Sequence, residues 1–236
     1  MTQWGFYFDQ TRCYGCKTCT VACKEWNEGR RGDAKINELK DLPQYETPEK
    51  WQAGSDESAS NLAMLRKFDM KETWRRVTFA ELGDNPPNVE IAPLSISCNH
   101  CENPACIPVC PVKAITKEPE FGAVIVDSSK CIGCGCGSCA KACPWGAPQY
   151  YEDLSKTAFD DPKHPKMTKC DMCIDRLKQG LKPACVAACI GRALECGPIE
   201  ELRKRHPDAT ITALGFEPGN TKPCILFKSR TFNPGS

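Results

Sequence analysis

The spacing of the cysteines constrains this chain more than any other feature. Nineteen of its 236 residues are cysteine, and sixteen of those fall into four groups of four, numbered here motifs one to four in chain order. The motifs are Cys13-x2-Cys16-x2-Cys19-x3-Cys23, Cys98-x2-Cys101-x4-Cys106-x3-Cys110, Cys131-x2-Cys134-x4-Cys139-x3-Cys143 and Cys170-x2-Cys173-x11-Cys185-x3-Cys189. Three further cysteines, Cys136, Cys196 and Cys224, lie outside this pattern, and we expect them to be packed or exposed thiols.

The repeated spacing indicates iron–sulfur chemistry. Three cysteines that are close in sequence can bind three corners of one 4Fe–4S cluster, while the cysteine three residues further on ligates a different cluster. Small residues between the ligands, such as Gly15, Gly133 and Gly135, allow backbone N–H groups to approach the sulfurs. Motifs of this kind therefore work in pairs, and sixteen thiols predict four clusters.

The crossed arrangement predicts the ligands of each cluster, with motif one paired to motif four and motif two to motif three. The predicted ligand sets are Cys13, Cys16 and Cys19 with Cys189; Cys170, Cys173 and Cys185 with Cys23; Cys98, Cys101 and Cys106 with Cys143; and Cys131, Cys134 and Cys139 with Cys110.

A longer repeat surrounds the motifs and indicates internal duplication. Phe6–Asp9 precedes motif one as Val124–Asp127 precedes motif three, each an apolar run that ends in aspartate, followed by a basic residue before the first cysteine. Three motifs also have an alanine four residues after their last cysteine: Ala114, Ala147 and Ala193. Such self-similarity is typical of a duplicated module.

Two other uses of cysteine fit the spacing less well. Zinc is bound by Cys-x2-Cys pairs, but a tetrahedral site takes two pairs and has no use for the trailing x3-Cys. Disulfides need partners that a rigid fold holds at a suitable distance, which x2 spacing within one loop seldom provides. A cysteine-rich zinc scaffold therefore remains only as an alternative hypothesis.

Composition excludes several functions. The 31 Lys and Arg residues balance 30 Asp and Glu residues, so there is no broad positive field for nucleic acid. No window approaches eighteen uninterrupted apolar residues, which predicts no direct membrane span. The N-terminal residues lack the pattern of a secretory signal. We find no phosphate loop, nucleophile elbow or carboxylate pair, and we predict no catalytic site in this chain.

The segments between the motifs predict short elements. We expect a polar excursion over 27–60, a helical turn near Asn61–Phe68, and a role for His100 limited to a hydrogen bond within its loop or none. The predicted regular elements are strands over Thr73–Leu82 and Val89–Ile96 joined by a turn at Gly83–Pro87, a hairpin over 112–126, a helix over Glu200–His206 and a strand over Cys224–Lys228.

The motifs resemble those of a known family. Motif order, the x11 gap of motif four, and stretches such as Leu94–Glu102, Gly146–Tyr150 and Gly197–Arg203 are similar to the iron–sulfur subunits of molybdopterin oxidoreductases. Within that family, the resemblance is to the iron–sulfur subunit of anaerobic dimethyl sulfoxide reductases. It extends over nearly the whole chain, although residues 34–68 look like extra length.

The resemblance implies an α+β fold of two fused bacterial-ferredoxin-like halves with short hairpin and loop insertions. The outer half would comprise residues 1–33 and 144–236, and the inner half would comprise residues 98–143. Residues 34–97 would form an insertion and a hairpin. These halves would carry four 4Fe–4S clusters as the only working chemistry.

The resemblance also implies partners and a location. It implies electron transfer between a molybdenum bis-pterin catalytic subunit and a membrane anchor subunit with a quinol site. The chain would then lie at the cytoplasmic membrane as part of a complex, on the outer face where it is co-exported with the catalytic subunit; a cytoplasmic position is the alternative. The same role in another molybdenum or tungsten enzyme is a further alternative.

Motif three allows two registers, Cys131-x2-Cys134-x4-Cys139 or Cys131-x4-Cys136-x2-Cys139. We favour the first, because it reproduces the spacing of motif two and the opening of motif one. Cys136 would then lie beside the cluster and affect its potential through packing or a weak S–H hydrogen bond. We expect Cys134→Ala to lose or convert a cluster and Cys136→Ala to keep all four, as measured by iron analysis and EPR. The reverse pattern would show that Cys136 is the ligand.

Overall fold

Short strands separate the cysteine motifs in this structure. The computed structural model describes residues 2–27, 73–82, 89–133, 136–150 and 166–231. Its elements are, in chain order, β1 (Trp4–Asp9), α1 (Thr18–Trp26), β2 (Arg76–Leu82), β3 (Glu90–Ile96), β4 (Ile115–Lys117), β5 (Val124–Val126), α2 (Ser138–Ala142), β6 (Gln149–Tyr150), β7 (Met167–Thr168), α3 (Ile174–Leu177), α4 (Ala184–Ala187), β8 (Leu194–Pro198), α5 (Ile199–Arg205) and β9 (Ile225–Lys228). This mixture of helices and strands is consistent with the predicted α+β class.

The strand pairing connects motifs that are distant in sequence. β1, which leads into motif one, pairs antiparallel with β8, which follows motif four, with Phe8 opposite Leu194. β4 follows motif two and pairs antiparallel with β5, which leads into motif three, with Ile115 opposite Val126. β9 adds to β1 in parallel, while β2 pairs with β3 and β6 with β7.

The predicted sequence repeat has the same backbone geometry in both copies. The amide of Asp9 donates to the carbonyl of Ala193, and the amide of Asp127 donates to the carbonyl of Ala114, each at 2.8 Å. Each aspartate then accepts the amide of the residue two positions on, at 2.9 Å in the first copy and 3.1 Å in the second. The side chains therefore close the same tight turn just before motifs one and three.

Aromatic side chains and cysteines fill much of the core. Phe6, Phe8 and Phe227 are almost completely buried around the three-stranded sheet. Phe216 packs on Phe227 with ring centroids 4.7 Å apart and stacks on Trp145 at 4.6 Å. Most of the described motif cysteines are also buried, so they form part of this core.

Most of the predicted elements are confirmed. The structure has strands within Thr73–Leu82 and Val89–Ile96, a hairpin within 112–126, a helix close to Glu200–His206 and a final strand within Cys224–Lys228. The turn at Gly83–Pro87, the helical turn near Asn61–Phe68 and most of the 27–60 excursion lie outside the described residues. Helices α1 to α4 were not predicted, because they are short and have few of the apolar residues that give a helical period.

The helices in the described part of the chain are all short, and none of them is long and apolar enough to cross a membrane.

Gly5 is required where β1 approaches the C-terminal segment. A Cβ atom at this position would lie 2.3 Å from the carbonyl oxygen of Cys224, whereas a Cβ atom on its cross-strand partner Gly197 would come no closer than 3.5 Å to any other group. We expect Gly5→Ala to destabilise the protein by about 1–3 kcal/mol, or roughly 5 °C in apparent melting temperature. Gly197→Ala is the matched control and should leave thermal unfolding, followed by circular dichroism, nearly unchanged. Equal effects of the two substitutions would contradict this assignment.

Candidate iron–sulfur sites

The ligand loops share one backbone conformation. The residue just before the second cysteine has a positive φ in all four motifs: 76° at Gly15, 44° at His100, 92° at Gly133 and 64° at Met172. This left-handed conformation suits glycine and is strained for other residues. His100 and Met172 are completely buried, so packing holds the two non-glycine residues in place.

His100 forms a hydrogen bond, but with a separate strand and not within its own loop as expected. Its Nδ1 accepts the amide of Val124 at 3.0 Å, which ties the motif-two loop to β5. Since Nδ1 accepts, Nε2 carries the proton, and this buried N–H has no partner among the described residues. Burial, together with the charges of Lys169 and Arg75, holds the pKa of His100 well below its usual value, so the ring is neutral.

A second turn directs a backbone N–H at the last cysteine of three motifs. The residue three positions after that cysteine has a positive φ at Lys113, Gly146 and Arg192. The alanine that follows donates its amide to the cysteine sulfur: Ala114 to Cys110 at 3.3 Å, Ala147 to Cys143 at 3.5 Å and Ala193 to Cys189 at 3.2 Å. The repeated alanine of the sequence thus marks a repeated N–H···S hydrogen bond.

Motif one achieves a related contact differently. Cys23 lies within α1, so its chain continues as helix instead of turning back. Four residues on, the side-chain amide of Asn27 donates to the carbonyl of Cys23 at 2.8 Å and lies 3.8 Å from its sulfur. Sequence analysis missed Asn27 because this position is alanine in the other three motifs.

Hydroxyl groups also contact the sulfurs. Thr18 Oγ1 donates to Cys16 Sγ at 3.3 Å, and Ser95 Oγ lies 3.4 Å from Cys19 Sγ. Thr221 Oγ1 lies 3.3 Å from Cys101 Sγ. Hydrogen bonds to a thiolate favour extra negative charge on the site and therefore raise the reduction potential of a cluster bound there.

The structure brings Cys189 to motif one. Burial raises the pKa of Cys13, the backbone N–H of Gly15 lowers it, and the negative charges of Cys19, Cys189 and Cys16 raise it again. Cys189 therefore lies close enough to Cys13 for its charge to act on that thiol, while the ligand set stays a prediction.

Cys143 lies with motif two. Burial raises the pKa of Cys106 to about 12, and the neighbouring charges of Cys98, Cys143 and Cys101 contribute to the increase. Burial likewise raises the pKa of Cys143 to about 11, with contributions from Cys98 and Cys101.

Cys23 lies with motif four. Burial raises the pKa of Cys173 to about 12, the backbone N–H of Ala184 lowers it, and Cys185 and Cys23 are among the charges that raise it further. Burial also raises the pKa of Cys170 well above its usual value, with Cys23 the largest neighbouring charge.

The fourth group lines a small, partly open pocket. Its wall includes Cys110 of motif two and Cys131 and Cys139 of motif three, together with Cys136. Hydrogen bonds from Ser138 lower the pKa of Cys136, whose sulfur lies 3.4 Å from Ser138 Oγ. Cys134 lies outside the described residues, so the register of motif three and coordination by the sixteen thiols stay predictions.

Two buried cations lie next to the cysteines, and sequence analysis missed both. Lys169 is 3% exposed; its Nζ lies 3.6 Å from Cys98 Sγ and donates to the carbonyls of Cys170, at 2.9 Å, and Val124. Arg75 is 1% exposed. The position of Lys169 directly before the first cysteine of motif four could have indicated its role. Arg75 is surrounded only by the apolar pattern of a strand, which gives no such indication.

The residues present suit 4Fe–4S clusters. Thiols of different motifs lie near one another, backbone and hydroxyl donors contact several of the sulfurs, and buried cations supply positive charge for an anionic group. Both side-chain atoms of Asn99, inside the motif-two loop, are buried without a partner among the described residues, which fits a site built around a further polar group. Within the described ranges, no three His, Cys, Asp or Glu side chains are placed to hold a single metal ion.

The contact between Thr221 and Cys101 allows a test of one cluster. The Thr221 hydroxyl lowers the pKa of the Cys101 thiol, against the larger effect of burial. Thr221→Val removes this hydrogen bond and should lower the reduction potential of the cluster at motif two by roughly 40 mV, equivalent to about 1 kcal/mol for a one-electron couple. Thr116→Val, on the exposed side of β4, is the control. EPR-monitored redox titration would contradict the assignment if both variants titrated like the parent protein.

The comparisons with known proteins agree with the geometry. Residues 89–199 match the 4Fe-4S dicluster domain family. The sequence is 41% identical, over 227 residues, to one chain of the anaerobic dimethyl sulfoxide reductase of Escherichia coli, and the match covers 96% of this protein and 89% of that one. It is 34% identical to a subunit of the sulfite dehydrogenase of Allochromatium vinosum, in a match that covers 93% of this protein and 82% of that one. It is 32% identical to a subunit of the tetrathionate reductase of Salmonella typhimurium, in a match that covers 95% of this protein and 72% of that one. The crossed cysteine motifs and this similarity over nearly the whole sequence show that the protein belongs to the family of iron–sulfur subunits of molybdopterin oxidoreductases.

Proposed function

We propose that this protein is the electron-transfer subunit of an oxidoreductase complex and that it carries four 4Fe–4S clusters. The clusters would relay electrons between a molybdopterin catalytic subunit and a membrane subunit linked to quinol. The observation that carries the proposal is the continuous series of cysteine groups, each adjacent to the next. When bound, such clusters exchange single electrons at potentials within roughly −700 to +450 mV.

Contacts between groups support one order for the relay. The charge of Cys19, in motif one, raises the pKa of Cys185, in motif four, after the effects of burial and Arg75. The charge of Cys98, in motif two, raises the pKa of Cys170, in motif four. Cys106 packs with Cys139 in one apolar cluster that also contains Cys110 and Cys131. The order is therefore motif one, motif four, motif two and motif three.

Both ends of this series lie near the surface. At motif one, Cys16 is exposed, as are the side chains of Tyr14 and Ile190 beside it. At motif three, Ile132 is 53% exposed, next to Cys131. Electrons can thus enter at one end and leave at the other, while the middle of the series stays buried.

Strand pairing and helix packing support two fused ferredoxin-like halves. The outer half comprises 1–33 and 144–236, where β1 pairs with β8 and α1 packs against α4. The inner half is 98–143, where β4 pairs with β5. Residues 34–97 form the insertion and hairpin between the halves. The matching turns at Asp9 and Asp127 are what a duplicated module would retain.

We propose a molybdenum bis-pterin catalytic subunit and a membrane anchor subunit with a quinol site as the partners. The support is the similarity to subunits of dimethyl sulfoxide reductase, sulfite dehydrogenase and tetrathionate reductase. In this arrangement the chain lies at the cytoplasmic membrane as part of the complex and has no catalytic site of its own. The range of substrates in those names leaves the catalytic partner's substrate open.

Iron content tests the cluster number. Four complete ligand sets predict about sixteen iron atoms per chain in an anaerobic preparation. The preparation should be brown, with a broad absorbance near 400 nm that dithionite bleaches. A colourless protein that contains zinc would support the scaffold hypothesis instead. A reproducible count near twelve, with the EPR signal of an oxidised three-iron cluster, would overturn the assignment of four cubanes.

Electron transfer is tested in the complex purified anaerobically with its native partners. After reduction with dithionite and removal of the excess, addition of dimethyl sulfoxide, tetrathionate or selenate should restore the absorbance near 400 nm if the substrate fits the catalytic subunit. Cys98→Ser, in the middle of the series, should slow this reoxidation at least tenfold. Unchanged reoxidation in that variant would overturn the proposed relay.

A further inference from the structure

Arg75 is a buried cation that donates hydrogen bonds to two serines and also interacts with the sulfur of Cys185. It lies directly before β2 and is 1% exposed. Its guanidinium group donates to Ser97 Oγ at 2.8 Å, to Ser95 Oγ at 3.2 Å and to the carbonyl of Ser95 at 3.4 Å. It also lies over the ring of Phe6, 4.7 Å from the centroid.

The negative charges near Arg75 come from cysteines. Burial lowers the pKa of Arg75, but the thiolates of Cys185, Cys19, Cys170 and Cys23 raise it by more. All four belong to motifs one and four, and no carboxylate pairs with Arg75 among the described residues. Cys19 belongs to one predicted ligand set of the outer half, and the other three belong to the second set.

Ser95 connects this charge to one of the sulfurs. Its hydroxyl oxygen accepts from Arg75 and lies 3.4 Å from Cys19 Sγ. A thiolate can only accept a hydrogen bond, so the Ser95 hydroxyl donates to a deprotonated Cys19 while its oxygen accepts from Arg75. The cation therefore acts on motif four through its charge and on motif one through both its charge and an oriented hydroxyl.

An unpaired cation in a protein interior is costly unless an anionic group compensates it. Reduction of a cluster adds one negative charge to the site, and a fixed cation nearby stabilises the reduced form more than the oxidised form. Since Arg75 is surrounded by thiols of both outer ligand sets, its charge favours reduction at both sites.

We propose that Arg75 is a positioning residue that raises the reduction potentials of the two outer clusters together. The inference rests on the proposed function, because it requires clusters at motifs one and four. In this role, one side chain keeps the reduction potentials of the two neighbouring clusters similar. An electron then passes between them with only a small change in free energy.

The test is an EPR-monitored redox titration of the anaerobically purified holoprotein, with iron analysis of each sample. Arg75→Met should decrease the equilibrium constant for reduction of both outer clusters at least tenfold, which is about 59 mV for a one-electron couple. Arg75→Lys, which keeps the charge, should recover most of this loss. Titration of Cys185→Ser and Cys106→Ser identifies which signals belong to the outer and inner halves.

Arg203→Met is the matched control, because Arg203 is an exposed arginine on α5 with only an i,i+3 ion pair to Glu200. It should leave all four potentials unchanged. If Arg75→Met keeps its iron and its outer potentials match the parent, or if Arg75→Lys shifts them as far as methionine does, the charge of Arg75 has no such role.

If Arg75→Met loses iron, its potentials cannot be compared with those of the parent protein, and the Ser95→Ala variant tests the proposal instead. It keeps the arginine but removes the hydroxyl that links it to Cys19, so the proposal expects a lower potential at the motif-one cluster alone; no shift there would overturn it. If the proposed function were wrong, the parent protein itself would lack reducible clusters. That result is distinct from a parent protein with clusters whose potentials do not depend on Arg75.

Discussion

The N–H···S hydrogen bond after the last cysteine of a motif is the interaction on which the rest of the structure depends. In three motifs a left-handed residue turns the chain so that an alanine amide reaches the cysteine sulfur. In two of these, Ala114 and Ala193, the carbonyl of the same alanine accepts the amide of the aspartate that opens another motif. Each of these alanines thus donates its amide to a cysteine sulfur and accepts, at its carbonyl, the amide of the residue that leads into another motif. The same turn therefore links a ligand loop to the strand pairing that brings two motifs together.

This construction explains how a chain with few aliphatic residues has a core. The aromatic cluster around β1 and β9 buries Phe6, Phe8, Phe216 and Phe227, but the helices of motifs one and four meet mainly through cysteines and small residues. A bound cluster fills such a space and joins segments that are far apart in sequence, as a structural metal does in small domains. The ligand loops are therefore part of the core as well as the functional site.

The sequence predicted this fold best where it repeats. The paired apolar runs before motifs one and three anticipated strands β1 and β5, and the recurring alanines marked the repeated N–H···S hydrogen bond. Period-2 patterns of apolar residues anticipated β2 and β3. The residues that the sequence did not reveal are those whose role depends on distant partners. Arg75 resembles any polar residue at a strand end, and Thr221 lies 120 residues from the Cys101 sulfur it contacts.

Buried positive charge connects the stability of this fold to its redox chemistry. Lys169 bridges motifs two and four through Cys98 and the carbonyl of Cys170, and Arg75 lies among the cysteines of motifs one and four. Burial removes both cations from water and also raises the pKa of Cys170 and Cys185, which opposes formation of the thiolates that would compensate them. Binding an anionic cluster removes that mismatch, because the thiolates and the cations then compensate one another. The same two charges that oppose folding of the empty chain therefore favour cluster binding, and they bias the assembled sites toward accepting an electron.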